Sequence, residues 1–228
     1  MVVRARENAR SVQDHITKEL WQTLNEFYHL VKDDRLFARL EHDDPVSTMD
    51  RLISQSMLYY GICESTMFRG EGFSFMNLGR YLERALQSIE LLDVKFSDLS
   101  YDLEKTADIT YWKHLLLSIS GYSLYLKTYR SAFDARNIIN QVIFNSSFPR
   151  SVIYSLNQLQ RYFDRLENNV DAESYKKINF TIGKLRSKIQ YSNLQHVSEV
   201  GLHNFLTSTH GDLHGIGNAL NQYYFAYS

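Results

Sequence analysis

The chain has 228 residues, 44% hydrophobic and 22% charged, with a formal net charge of −1. That length and balance predict one large globular domain and exclude a disordered segment, and a near-neutral chain has no broad basic field for nucleic acid. Only two prolines and ten glycines occur, so long helices are permitted and a turn-rich all-β chain is excluded.

The first predicted helix runs from Val3 to Val31. Ala5, Ala9, Val12, Ile16, Leu20, Thr23, Phe27 and Leu30 mark an inner face at helical spacing. Arg6, Glu7, Arg10, Asp14 and Lys18 form a charged stripe opposite, with Glu7–Arg10 and Arg10–Asp14 at steps where side chains meet. Asp33 to Pro45 reads as a polar loop ending in a turn. Ser47 and Asp50 have the spacing of a capping box, with Ser47 as N-cap. The second helix then places Met49, Leu52, Ile53, Ser56 and Tyr60 inside and ends near Arg69-Gly70-Glu71-Gly72. These glycines lack the following Lys-Ser or Lys-Thr of a phosphate loop.

The third helix has the clearest pattern. Phe75, Leu78, Leu82, Ala85, Ile89, Leu92 and Phe96 form one seam. Arg80, Glu83, Arg84, Gln87 and Glu90 fall on the other side. A polar loop spans Lys95 to Asp108. The fourth helix runs from Ile109 to Tyr129, with Trp112, Leu115, Leu116, Ile119, Tyr122 and Leu126 inside; Gly121 within it signals a closely approaching neighbour. A shorter helix covers Ala135 to Phe144. Pro149 suits the first turn of the next helix, which reaches Asn168 with Val152, Leu156, Leu159, Phe163 and Leu166 inside. Asp171 can cap the following helix, with seam Ile178, Ile182, Leu185 and Ile189. The last helix runs from Leu194 to Tyr227, with a break around Thr209 to Gly217. The prediction is an all-α single domain over residues 1–228, a bundle of about seven or eight helices.

Candidate chemistry is sparse. His203, His210 and His214 share roughly one side of the last helix, as zinc ligands can, but no His-Glu-x-x-His pattern or second cysteine supports them, and no metal or cofactor is assigned. Glu26-Phe-Tyr-His29 is a single Glu-x-x-His match, and a di-iron bundle needs two. Cys63 has no partner cysteine, so no intramolecular disulfide forms, and it reads as a packed thiol. The start of the chain has no apolar signal-peptide core, and Leu115 to Leu126 is too short to span a bilayer of about 20 helical residues. A cytoplasmic protein without membrane contact is therefore expected. Arg80 and Arg84, like charges four residues apart, mark the best candidate surface. The pair suits a partner carboxylate, a phosphate or a facing acidic helix.

Asn77-Leu-Gly-Arg-Tyr-Leu-Glu-Arg-Ala85 resembles the Glu-Arg motif of the bacterial alpha-E domain family. Ala5-Arg-Glu-Asn-Ala-Arg10, Trp21, Leu24-Asn25, Gly70-Glu-Gly72 and Phe148-Pro-Arg-Ser151 are similar to further parts of its pattern, with Gln13 standing where Arg is more usual. The resemblance implies an all-helical fold and a further motif-bearing segment before Ala5, which this chain lacks. It also implies association with ATP-grasp-type ligase-like or transglutaminase-like proteins, hence a role in peptide or amide-bond metabolism. The chain is expected to act as a non-catalytic binding or scaffold partner, with Arg80, Glu83 and Arg84 at the contact or in a structural charge network. The alternative is an enzyme or enzyme subunit that gathers these residues with Glu7, Arg10 or Arg150 in one pocket. Trp21, Leu24, Phe27 and Tyr28 make the first helix apolar on more than one side, which predicts a homodimer or a helical partner rather than a lone monomer.

Overall fold

Twelve α-helices and no strand occur among the residues that the computed structural model describes, 1–105, 108–130, 133–166 and 172–225. The all-α class is as expected, and the count exceeds seven or eight because several expected helices are interrupted. The chain forms two compact units, Met1–Phe73 and Ser74–Ser228.

In the first unit, the expected helix from Val3 to Val31 is two. Helix α1 (Val2–Ser11) ends before a 3-10 turn at Gln13–His15, and α2 (Lys18–Lys32) restarts the chain. The interruption is a capping event. The Thr17 hydroxyl accepts the Leu20 N–H at 3.2 Å, satisfying one orphan donor of the new helix. Helix α1 buries no side chain completely. Arg6 attaches it instead: Nε donates to Asn25 Oδ1 at 2.6 Å, and the guanidinium lies 4.6 Å from the Tyr28 ring centre and 5.6 Å from that of Trp21. Arg6, expected on a solvated stripe, thus helps cover the second apolar side of α2.

The stretch expected as a loop after Asp33 contains α3 (Arg35–Ala38) and a π-turn, Arg39–Asp43. Helix α4 (Pro45–Thr66) begins earlier than the Ser47 box implied, because the Asp44 side chain accepts the Ser47 N–H at 3.1 Å and Pro45 occupies the first turn. Helix α4 packs on α2, but with its face rotated from expectation. Thr48 and Cys63 are buried, whereas Met49, Ile53 and Tyr60 are 49%, 48% and 38% exposed. The packed face is the more polar one. Gln55 donates to the Thr23 carbonyl at 3.3 Å, and the Thr66 and Thr17 hydroxyls meet at 2.8 Å.

The second unit takes most of α5 (Glu71–Ser97), whose expected seam is borne out at Leu78, Ala85, Ile89, Leu92 and Phe96, all at most 1% exposed, while Phe75 and Leu82 of that seam are only half-buried. The helix expected from Ile109 to Tyr129 is broken into α6 (Ile109–Ser118) and α7 (Tyr122–Tyr129). Ser120 adopts φ 55°; its N–H reaches the Leu117 carbonyl at 3.0 Å, and the Gly121 N–H reaches Leu116 at 2.7 Å. This paired 5→2 and 6→1 pattern closes a helix. Gly121 does mark a close approach. A Cβ there would lie 2.9 Å from the Phe148 ring tip and 3.0 Å from Gln141 Nε2.

Helix α8 (Ala135–Ile139) continues into a π-turn to Phe144. Helix α9 (Val152–Asp164) is capped by Ser151, whose hydroxyl accepts the Tyr154 N–H, so Pro149 lies in the preceding turn rather than in the helix. That helix ends at Asp164, with Arg165 as its C-cap, short of the expected Asn168, and the Asp171 cap lies outside the described residues. Helix α10 (Ala172–Gln190) buries Ile178, Ile182, Leu185 and Ile189 as expected and packs on α9 and α12. The break expected at Thr209 to Gly217 falls instead at Gly201, whose φ of 86° favours glycine. It separates α11 (Leu194–Val200) from α12 (Leu202–Leu220), which runs unbroken through Gly211, Gly215 and Gly217.

Candidate functional site

Helix α5 sets its charged residues by burying the opposite seam. Glu83 is exposed, and its carboxylate accepts the Gln87 side-chain N–H at 3.0 Å. Arg80 and Arg84 are half-buried, their guanidinium carbons 5.5 and 5.6 Å from the ring centre of Tyr81 between them. Each such contact is worth about 0.5–1 kcal/mol at a partly exposed site. The like-charge penalty at a four-residue step is only about 0.2–0.5 kcal/mol. The aromatic ring therefore accounts for the paired arginines without a bound anion.

Tyr81 stacks on Tyr162 of α9, with ring centres 5.9 Å apart and planes 17° from parallel, and Tyr154 lies 6.2 Å away. Burial raises the Tyr81 pKa, with Tyr154 and Tyr162 adding to the effect while Arg80 and Arg84 oppose it. The phenol therefore stays protonated and able to donate.

Tyr162 carries its own pair of arginines, Arg161 and Arg165, with guanidinium carbons 5.8 and 5.0 Å from its ring centre. Both are exposed. The two segments have the same form: Arg80-Tyr81-Leu82-Glu83-Arg84 and Arg161-Tyr162-Phe163-Asp164-Arg165. Each acid is held by a glutamine four residues away, Glu83 by Gln87 and Asp164 by Gln160 at 2.7 Å. Four guanidinium groups thus lie against one tyrosine stack, and each acid, two residues after its tyrosine, falls on another side of its helix. The expected site omitted Tyr81, Arg161, Tyr162 and Arg165. The signal available in sequence was the repeated Arg-Tyr-apolar-acid-Arg string, too short to register as a solenoid repeat.

The other candidate residues fall elsewhere. Arg150 is half-buried, and its carbonyl accepts the Ser88 hydroxyl at 2.7 Å, which ties the segment before α9 to α5 through backbone. Glu7 and Arg10 are exposed on α1, in the first unit. Cys63 is buried, its sulfur 3.7 Å from that of Met67. His203 and His210 face separate acids: His203 Nδ1 is 3.7 Å from Asp93, and His210 Nε2 is 3.3 Å from Glu90. Glu90, Asp93 and His210 line a cleft of about 120 Å³, well below the roughly 300–1,000 Å³ of small-molecule sites. Among the described residues, no three His, Cys, Asp or Glu side chains are grouped to hold a metal. No described helix is long and apolar enough to cross a membrane.

The Alpha-E family, described as a predicted alpha-helical domain with a conserved ER motif, matches residues 1–225. The chain belongs to this family, and Glu83-Arg84 is its one Glu-Arg pair in sequence. It is similar to uncharacterized proteins of Mycobacterium bovis and Mycobacterium tuberculosis, each 20% identical over 93% of this chain and 24% of the relative. The chain thus spans about a quarter of the length of these curated relatives. No solved structure matches it.

Proposed function

We propose that this chain is a non-catalytic binding module. It docks an acidic surface of a partner protein on the arginine–tyrosine ledge formed by α5 and α9. The supporting observation is the doubled Arg-Tyr-apolar-acid-Arg segment, which sets four guanidinium groups against one tyrosine stack on a chain of net charge −1. A stacked guanidinium is oriented in advance for a carboxylate, so less is lost on binding. The partner we assign is an ATP-grasp-type ligase-like protein of peptide or amide-bond metabolism, on the strength of the family resemblance. Glu83 bonded to Gln87 at an exposed position suits a contact surface better than a reacting centre.

The test is titration calorimetry against the ATP-grasp-type protein of the same genome, with the Arg161→Ala/Arg165→Ala double variant alongside. Binding that weakens at least about tenfold in the variant, with thermal stability kept, supports the proposal. Equal binding by both chains, or no binding by either, overturns it. Amide-bond formation or cleavage by the chain alone, abolished by Glu83→Gln, would establish the enzyme reading instead.

A further inference from the structure

Helix α4 is amphipathic in the unusual sense. Its packed side uses Thr48, Gln55, Cys63 and Thr66, while Val46, Met49, Ile53, Met57 and Tyr60 line the outside. Val46 is 71% and Met57 66% exposed, above the 48% of Ile53 between them. At about 100° per residue, these five positions fall within one stripe roughly 80° wide. Small residues border it, Ser54 and Gly61 on one edge and Ser56 on the other, which permits a second helix to approach closely.

Three features identify the occupant. The first is the spacing. The steps along the stripe are three, four, four and three residues, a pattern that reads the same in both directions about Ile53. A two-fold interface must be complementary to itself, with each residue i meeting j and each j meeting i. An antiparallel pair centred on Ile53 satisfies this: Ile53 meets Ile53 of a second copy, Met49 meets Met57, and Val46 meets Tyr60. The second feature is charge. The outer half of α4 carries two charged residues, Asp50 and Glu64. A parallel pair sets Asp50 against its own copy, which is repulsive, whereas the antiparallel pair sets Asp50 against Ser56 and carries Glu64, ion-paired with Arg69 at 3.1 Å, past the start of the second copy's α4. Membrane-surface helices instead carry Lys and Arg on the polar border. Here Arg51 turns to the α2 side, where it lines a cleft with Glu26 and Asp33. The third is area. Ten such side chains in a pair cover on the order of 1,000 Å², the low end for a specific interface. That fits a weak, concentration-dependent dimer rather than an obligate one.

We infer that α4 is a self-association surface: two copies of the chain pair through antiparallel α4 helices on a two-fold axis at Ile53. This surface uses none of the residues of the arginine–tyrosine ledge, so each proposal stands or falls separately.

Sedimentation equilibrium across a low to high micromolar series tests it. The expected result is a monomer–dimer equilibrium, weakened at least about tenfold in Ile53→Glu and in Met57→Lys, both with unchanged circular dichroism. Orientation is read by mild oxidation of single-cysteine substitutions. Ile53→Cys should cross-link to itself; Met49→Cys and Met57→Cys should each fail alone and cross-link to one another when mixed. A monomer at every concentration overturns the inference. So does a dimer indifferent to both charged variants, or one in which Met49→Cys cross-links to itself as readily as Ile53→Cys.

Discussion

The junction between α6 and α7 shows how much two adjacent residues can decide. Ser120 stands in the left-handed region at φ 55°, where a side chain costs energy that glycine does not. Ser120→Gly should therefore raise stability by about 0.5–1 kcal/mol, visible as a higher urea midpoint with an unchanged slope. Its neighbour should respond the opposite way. Gly121 has an ordinary φ of −98°, so Gly121→Ala meets no backbone penalty, only the Phe148 ring tip at 2.9 Å and Gln141 Nε2 at 3.0 Å. Phe148 is 2% exposed and Gln141 is fully buried, with its Nε2 donating to the Gly121 carbonyl. Neither has room to withdraw, and about 1–3 kcal/mol of destabilisation is expected in the same urea titration. Tyr59 supplies a pH dependence. Burial, with Cys63 and Tyr60 adding to it, raises its pKa from 10.0 to about 12. The unfolded chain then loses this proton near pH 10 and the folded one only near 12. Stability from this group is complete below pH 10 and falls as pH rises through about 12, by up to roughly 2 kcal/mol. Tyr59→Phe should flatten that alkaline limb in urea melts at a series of pH values. An unchanged limb would show that Tyr59 ionises alike in both states.

At the scale of elements, the helices legible in sequence were those in which one face is apolar and wholly buried. Helices α5 and α10 have such seams at steps of three and four; all of the α10 seam and most of the α5 seam are buried where the periodicity places them, and α5 buries Asn77, Tyr81 and Ser88 besides. Helix α4 has an equally regular apolar stripe, and there periodicity points to the wrong side. Spacing shows that Met49, Ile53 and Tyr60 share a face, not whether that face meets its own chain. The polar contacts of Gln55 and Thr66 decided the packed side, and hydrogen bonds to another helix leave no period in the sequence. The interruptions were hidden for a related reason. Thr17 and Ser151 are caps by virtue of one hydroxyl–amide bond each, and Ser120 closes a helix without glycine. The candidate site was half legible. Arg80, Glu83 and Arg84 were found from their own helix, where the explaining ring, Tyr81, stands between the two arginines, but the stacked Tyr162 and its arginines required α9 beside it. Tyr81→Ala tests this account. Removing the ring takes away the contact that offsets the repulsion between Arg80 and Arg84, so part of the loss of stability should shrink in high salt, which screens that repulsion. A loss independent of salt would leave only the cavity.

At the scale of the whole molecule, burial is distributed unevenly. The unit Met1–Phe73 buries Leu20, Leu24, Leu36, Cys63, Met67 and Phe73 among its apolar side chains, whereas the unit Ser74–Ser228 buries a larger set from Leu78 to Leu220 that includes Trp112, Tyr125, Phe163 and Phe205. Burial of a large apolar side chain contributes about 1.5–3 kcal/mol. The first unit thus has far less to offset the entropy of ordering its helices. Local opening should follow that difference. In native-state hydrogen exchange, amides of α1, α2 and α4 should exchange through openings of lower free energy than those of α5, α9 and α12. The difference should itself depend on concentration. Pairing through α4 removes apolar surface from water only in the folded first unit, so mass action stabilises that unit as concentration rises. Protection in α4 should then increase from low to high micromolar chain while protection in α9 stays constant. Uniform protection at all concentrations would show that the two units open as one and that α4 gains nothing from a second copy.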